Sequence, residues 1–243
     1  MRSQEEPGEG AGLPAGRRHY IATQSWHHEP PDASGCPAGR PRYNPAMLLP
    51  LRTVGWLACV VYSTIPAFWL MIHSRAASWR RRSSPYRILV PAWVVMWIVL
   101  GAITAPWRNL VLYSSPWSWI PAVALFAAGF WVYFQARRQF SLRQLGGLPE
   151  IVPRHPEQRL VISGIRSRVR HPVYLGHLCE LLAWSVGTGL AVCYLLTVLA
   201  LATGAVMIRH EEAELEQRFG EEYREYRKKV PSLLPRVVQG KAI

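Results

Sequence analysis

At 243 residues, half of them hydrophobic, the chain is long enough for one sizeable domain, yet it carries a formal net charge of +13. Charge and apolarity are segregated: apolar runs fill the middle, and arginines collect in the gaps and at the ends. A soluble nucleic-acid binder spreads basic residues over a folded surface and lacks apolar runs of this length. Nucleic acid is therefore excluded as a partner, and the composition points to an integral membrane protein whose basic charge is a topology signal.

Residues 1–46 are rich in Pro, Gly and polar side chains and show no apolar periodicity, so they are expected to form a disordered tail. The tail lacks the apolar core of a signal peptide, and the adjacent His27 and His28 do not make a metal site. Met47 opens the first hydrophobic run, which leaves open whether the native protein includes the tail.

The first expected span, 47–72, is apolar apart from Arg52 and carries Pro66 as a kink. Residues 88–105 form a second span, and residues 117–136 a third, opened by interfacial tryptophans. Residues 172–208 form one apolar run of about 37 residues, nearly twice a bilayer core at ~1.5 Å per residue. It is expected to fold into a tight hairpin turning at Gly187-Thr188-Gly189. The fold class is thus all-α and polytopic, with about five transmembrane helices. The expected organisation is a tail over 1–46, three membrane helices over 47–136, and a module of loop, hairpin and C-terminal helix over 137–243.

Arginine placement gives the orientation. Arg75, Arg80, Arg81, Arg82 and Arg87 fill one loop, and Arg137, Arg138, Arg143, Arg154, Arg159, Arg166, Arg168 and Arg170 another. The connection around 106–116 holds only Arg108, and the hairpin turn holds no charge. Both basic loops and the C-terminus are expected on the cytoplasmic side, with the N-terminus outside. Beyond the hairpin, residues 209–229 read as an amphipathic cytoplasmic helix with an apolar stripe of Leu215, Phe219, Tyr223 and Tyr226. Gly220 is a possible interruption, and Val230-Pro231 the end. Cys36, Cys59, Cys179 and Cys193 are scattered without a Cys-x-x-Cys pair, which argues against zinc or a disulfide framework; the last three read as small packing residues.

Chemistry concentrates in residues 162–182, where Arg166, Arg168, Arg170 and His171 lead through Pro172 into an apolar helix. Proline suits the first turn of a helix, and a helix start at the aqueous boundary can hold an anionic ligand. Glu211-Glu212 leave the hairpin on the side where Arg170-His171 enter it, so one pocket can contain both pairs. From composition alone the plainer readings stand beside this one: topology-setting flanks for the cations, and a solvated helix face for the glutamates.

The pattern Leu160-Val161-x-Ser163-Gly164, then Arg170-His171-Pro172-x-Tyr174-x-Gly176, resembles the isoprenylcysteine carboxyl methyltransferase family. So does the second half: Glu211-Glu212-x-x-Leu215, then Phe219-Gly220-Glu221-Glu222-Tyr223-x-x-Tyr226 and Val230-Pro231. The similarity covers roughly residues 135–236. It implies a membrane-embedded methyltransferase that takes its methyl group from S-adenosylmethionine, with no Rossmann domain and no metal. The cofactor would lie in a cytoplasmic pocket of the plasma (inner) membrane, and a lipophilic acceptor would reach it from the bilayer.

Carried over residue by residue, the resemblance implies cofactor contacts from Gln158, Arg159, Leu160, Val161, His171, Pro172, Val173 and Tyr174. Glu211 would position the acceptor and Glu212 would support the pocket. Arg166 stands where the family usually has tyrosine, and Met207 where it tends to have an arginine, with Arg209 two residues on as the alternative cation. Methyl transfer fits this residue set, because it depends on in-line placement and needs no nucleophilic Ser or Cys. Two other readings compete: an NADPH-dependent membrane reductase of the steroid and sterol reductase type, and a non-enzymatic membrane adaptor. The former shares the Arg-His-Pro-x-Tyr-x-Gly core but tends to have Asn and Glu where this chain has Val173 and His177.

Overall fold

A computed structural model describes residues 45–79, 81–82, 84–138 and 160–235. The expectations for the tail, and for the loop over 139–159, lie outside the described residues. Seven α-helices are described: α1 Pro45–His73, α2 Ala76–Trp79, α3 Tyr86–Thr104, α4 Trp119–Arg137, α5 Pro172–Thr188, α6 Ala191–Phe219 and α7 Glu221–Lys229.

Four segments are long and apolar enough to cross a membrane: Leu49–His73, Tyr86–Trp107, Pro116–Arg137 and Ala191–Phe219. Their outward faces carry exposed Val95, Ile98, Val123, Phe130 and Leu195, the surface a bilayer covers. The protein is an integral membrane protein of the all-α class. The sequence expectation of five spans is not reached on length and apolarity. The helix that departs is α5, whose 17 residues include His177 and Glu180.

Hydrogen bonds across α1 and α3 show how polar atoms are satisfied at membrane depth. Thr64 of α1 accepts bonds from the indole nitrogens of Trp93 and Trp97, each at 2.9 Å, and Trp56 donates to Thr104 at 3.0 Å. Such pairing is what a medium without water demands. α4 lies along α5 at close range, since a Cβ at Gly129 would meet the Gly176 carbonyl at 3.2 Å and one at Gly176 would overlap the Tyr133 ring. Small residues allow such an approach between membrane helices. α1 packs on both α5 and α6, while α3 packs on α1.

α5 begins at Pro172 and ends at Gly189, which adopts φ +64°. A side chain there would be strained, and its Cβ would sit 2.3 Å from the Tyr113 carbonyl oxygen. The Leu112 amide donates to Gly189 O at 2.8 Å and the Ala191 amide to Leu110 O at 3.0 Å, so the α3–α4 connection clasps the α5–α6 turn. From that turn α6 runs antiparallel to α5: Ser185 meets Thr197 at 3.0 Å, and His171 meets Glu212 at 3.1 Å. Cys59 and Cys193 are fully buried beside Trp56 and Leu190, as packing residues, and Cys179 is half-buried.

The C-terminal helix departs from expectation. Residues 209–219 are not a separate cytoplasmic element but the unbroken end of α6. With 29 residues, α6 is roughly 43 Å long, more than a bilayer core requires. The break falls at Gly220 (φ 57°, ψ −126°), and among the described residues α7 is the helix that follows it. Tyr223, Tyr226 and Val230 then fold back to pack with Leu160, Leu215 and Phe219.

Candidate active site

The segment entering α5 is held from two sides. The Arg170 amide donates to Pro231 O at 2.9 Å and the His171 amide to Ser232 O at 3.0 Å, so the stretch after α7 straps the helix entrance. Arg170 Nε donates to Glu212 Oε1 at 2.9 Å, and its Nη1 donates to the carbonyls of Arg227 and Val230. One arginine thereby ties α5, α6 and the strap together.

His171 is 4% exposed, and its two ring nitrogens face two carboxylates. Nε2 lies 3.1 Å from Glu212 Oε1, and Nδ1 lies 3.4 Å from Glu211 Oε2. Burial disfavours the imidazolium, but the carboxylates of Glu211 and Glu212 outweigh it and raise the group to about 9. His171 is accordingly a cation at neutral pH. Arg166 is half-buried near Glu211; desolvation lowers its pKa, and Glu211 opposes the shift. Tyr226 donates to the Arg166 carbonyl at 2.7 Å, and burial raises the pKa of Tyr223. At the edge, His73 at the end of α1 meets Glu214 at 2.8 Å.

The structure therefore brings His171, Glu211 and Glu212 into contact across 40 residues of sequence, as the shared-pocket expectation requires. Pro172 is buried at the first turn of α5, and Tyr174 stacks on His171 with ring centroids 5.8 Å apart. Leu160 packs into the Tyr223–Tyr226 cluster, and Val161 is half-buried next to it in sequence. Val173 instead packs toward α4, against the cluster of Val132, Ala136, Ile165 and Val169. Gln158 and Arg159 lie outside the described residues. Met207, where the sequence pattern suggested an arginine, is fully buried, and Arg209 is exposed.

His171 differs from expectation in one respect. The sequence suggested a ligand anion at this helix entrance, whereas the anions on its ring nitrogens are the protein's own glutamates. The sequence reading did not pick out His73 and Glu214, which lie 141 positions apart with no local motif to join them.

The fold and this cluster define a helical membrane protein with a buried, charge-paired site at one end of its bundle. The phospholipid methyltransferase family model matches residues 117–222, from the start of α4 into α7, and so contains the whole pairing. A protein-S-isoprenylcysteine O-methyltransferase B from Arabidopsis thaliana is 37% identical over 89 residues, 35% of this chain and 43% of that protein. A protein-S-isoprenylcysteine O-methyltransferase from Schizosaccharomyces pombe is 34% identical over 117 residues, 45% of this chain and 48% of that protein. A Delta(14)-sterol reductase from Mus musculus is 37% identical over 99 residues, 39% of this chain and 23% of that protein. The chain thus spans less than half the length of these curated relatives, and no solved structure matches it. Over the matched region the chain is similar to the phospholipid methyltransferase family and to protein-S-isoprenylcysteine O-methyltransferases.

Proposed function

We propose that the protein is a membrane methyltransferase that moves a methyl group from S-adenosylmethionine to a lipophilic acceptor, a prenylcysteine-like carboxylate or another small hydrophobic molecule. The observation that carries this reading is that the family match encloses the buried His171–Glu211–Glu212 contact, whose two sides are far apart in sequence. The residues present fit a cofactor bearing both cationic and anionic groups. Among the described residues, the buried Tyr223 hydroxyl has no hydrogen-bond partner, and Glu211 Oε2 has none beyond its 3.4 Å ion pair with His171, in a setting that also holds Arg166 and Arg170. Leu160, Val161, His171, Pro172, Val173 and Tyr174 would hold the cofactor, joined by Gln158 and Arg159.

Bound S-adenosylmethionine supplies a methyl group already activated on a sulfonium. What remains for the protein is placement and exclusion of water. His171 and Arg170 hold Glu212 rigidly, and His171 fixes Glu211, which positions the acceptor. A carboxylate acceptor needs no base; for an amine, the Glu211 carboxylate accepts the proton. The site faces the cytoplasm of the plasma (inner) membrane. In support, Arg166, Arg168 and Arg170 crowd this end, while the Gly189 turn at the other end lies against a connection with Arg108.

The sterol reductase relative supports a second reading, an NADPH-dependent reductase, over the same Arg-His-Pro-x-Tyr-x-Gly segment. Equilibrium binding of radiolabelled S-adenosylmethionine and of NADPH to the full chain in nanodiscs separates the two. Saturable binding of the former alone is expected; binding of NADPH alone overturns the methyltransferase reading.

A further inference from the structure

Nine residues along α5 from His171, Glu180 is a second buried acid, and the chemistry above does not use it. It is 3% exposed, and its Oε1 oxygen is buried with no hydrogen-bond partner among the described residues. The apolar stretches 53–72, 88–104, 119–136, 172–188 and 191–208 contain no lysine or arginine, so these helices offer it no fixed cation. An ionisable residue at membrane depth is costly and marks function more often than packing.

Its surroundings are polar and built. The Tyr62 hydroxyl of α1 interacts with the Glu180 carboxylate. Tyr133 of α4 shares a hydrogen bond with His177 Nδ1, and the His177 ring lies 5.5 Å from Tyr62 and 5.4 Å from Tyr133. A purely structural clasp would satisfy both carboxylate oxygens, since a half-satisfied buried network is worse than an apolar one. Position strengthens the case. His171, Tyr174, His177 and Glu180 recur every third residue, so each neighbours the next along a path that winds around α5, with successive ring centroids 5.8 and 6.4 Å apart from His171 to His177. α1 and α4 each pack on α5 but make no extensive contact with each other, and Tyr62, Tyr133 and His177 at that seam are only half-buried.

We infer that Glu180, with Tyr62, Tyr133 and His177, forms a specificity subsite for a hydrogen-bond donor, a hydroxyl or an amine, on the acceptor's apolar chain. Nine helical residues are a rise of roughly 13 Å, which an acceptor chain seated at His171 covers by following the Tyr174 and His177 rings around the helix. Charge complementarity selects the occupant: a buried acid with an open oxygen and no lysine or arginine on the neighbouring apolar stretches prefers a donor over plain hydrocarbon. The inference rests on the methyl-transfer reading only for which end of the acceptor lies at His171.

The test uses the full chain in nanodiscs and three probes: octadecanoate, its mid-chain hydroxy derivative and its mid-chain amino derivative. Binding is read from thermal shift and competition, with no cofactor present. The wild type should bind both substituted probes about tenfold more tightly than octadecanoate or better. Glu180→Leu should bind all three alike and be at least as thermally stable without probe, because the unsatisfied acid is gone. Glu180→Gln should keep the hydroxy preference and lose the amino one. Equal binding of the three probes to the wild type overturns the inference, as does an intact preference in Glu180→Leu. So does a drop in unfolding temperature in Glu180→Leu, which would mark a structural clasp. Since binding is measured without turnover, failure of methyl transfer leaves this result readable, and failure here leaves the methyltransferase reading standing.

Discussion

Two acid–histidine–tyrosine groups, one at the entrance of helix α5 and one within it, live by different rules. At the helix entrance, His171 and Arg170 meet Glu212, and His171 also meets Glu211. Deeper in the bundle, His177 and Glu180 have tyrosines around them and no lysine or arginine on any neighbouring apolar stretch. The entrance can collect cations because the loop before α5 and helix α7 bring Arg170 and Arg227 to it from the aqueous side. The interior cannot, because each arginine placed there would bear a desolvation cost of its own. Paired charges therefore build a rigid site at one end, while the interior keeps one acid with an open valence.

The largest effect that sharpens this contrast is expected from Arg170→Ala. It leaves Glu212 short of its main partner and frees the carbonyls of Arg227 and Val230, so thermal unfolding should show a loss of about 3–5 kcal/mol. A loss under 1 kcal/mol would mean that the pair is peripheral.

His171→Ala and Glu211→Ala should fail differently. The first removes the cation that orders both glutamates and should weaken S-adenosylmethionine binding by roughly tenfold to a hundredfold in calorimetry. The second should cut methyl transfer while leaving most cofactor affinity in place, a split between turnover and binding. Normal cofactor binding by both variants would place the pocket elsewhere.

The pH dependence follows with a defined sign. His171 is raised from its ordinary value to about 9, so its contribution to stability is complete below about 6.5 and is lost as pH rises through about 9. The wild type should lose unfolding temperature across that window, and His171→Ala should lose less. Identical profiles would break the assignment.

Tyr133→Phe removes one interior hydroxyl from His177 and should cost about 1 kcal/mol or less in stability. Smallest of all, a chain starting at Met47 should bind cofactor as the full chain does, since neither group draws on a described residue before α1. Loss of affinity on that truncation would bring the tail into the fold.

Much of the scaffold was legible because membrane helices write themselves as apolar runs. The expected spans 88–105 and 117–136 lie within two residues of α3 and α4, and the turn at Gly187–Gly189 falls where a left-handed glycine ends α5. The end of α6 was misplaced for a physical reason. Polarity changes at Arg209, but a helix stops where hydrogen bonding or backbone geometry stops it, and nothing does so before Gly220. The span count differed because α5 is short and carries His177 and Glu180, which a run-length reading counts as part of one apolar run. Glu180 was passed over for the same reason.

The sequence alone determined the class, the membrane, the two motifs and the residues His171, Glu211 and Glu212, because each is a local signal of composition or order. Only the tertiary structure decided that both nitrogens of His171 meet the protein's own carboxylates, that Arg170 ties the strap to α6, and that His73 reaches Glu214. It also decided that Glu180 keeps an unsatisfied oxygen beside Tyr62. These are distance facts between remote positions, set by how closely glycine-lined helices approach, and no pattern along one strand of sequence encodes them.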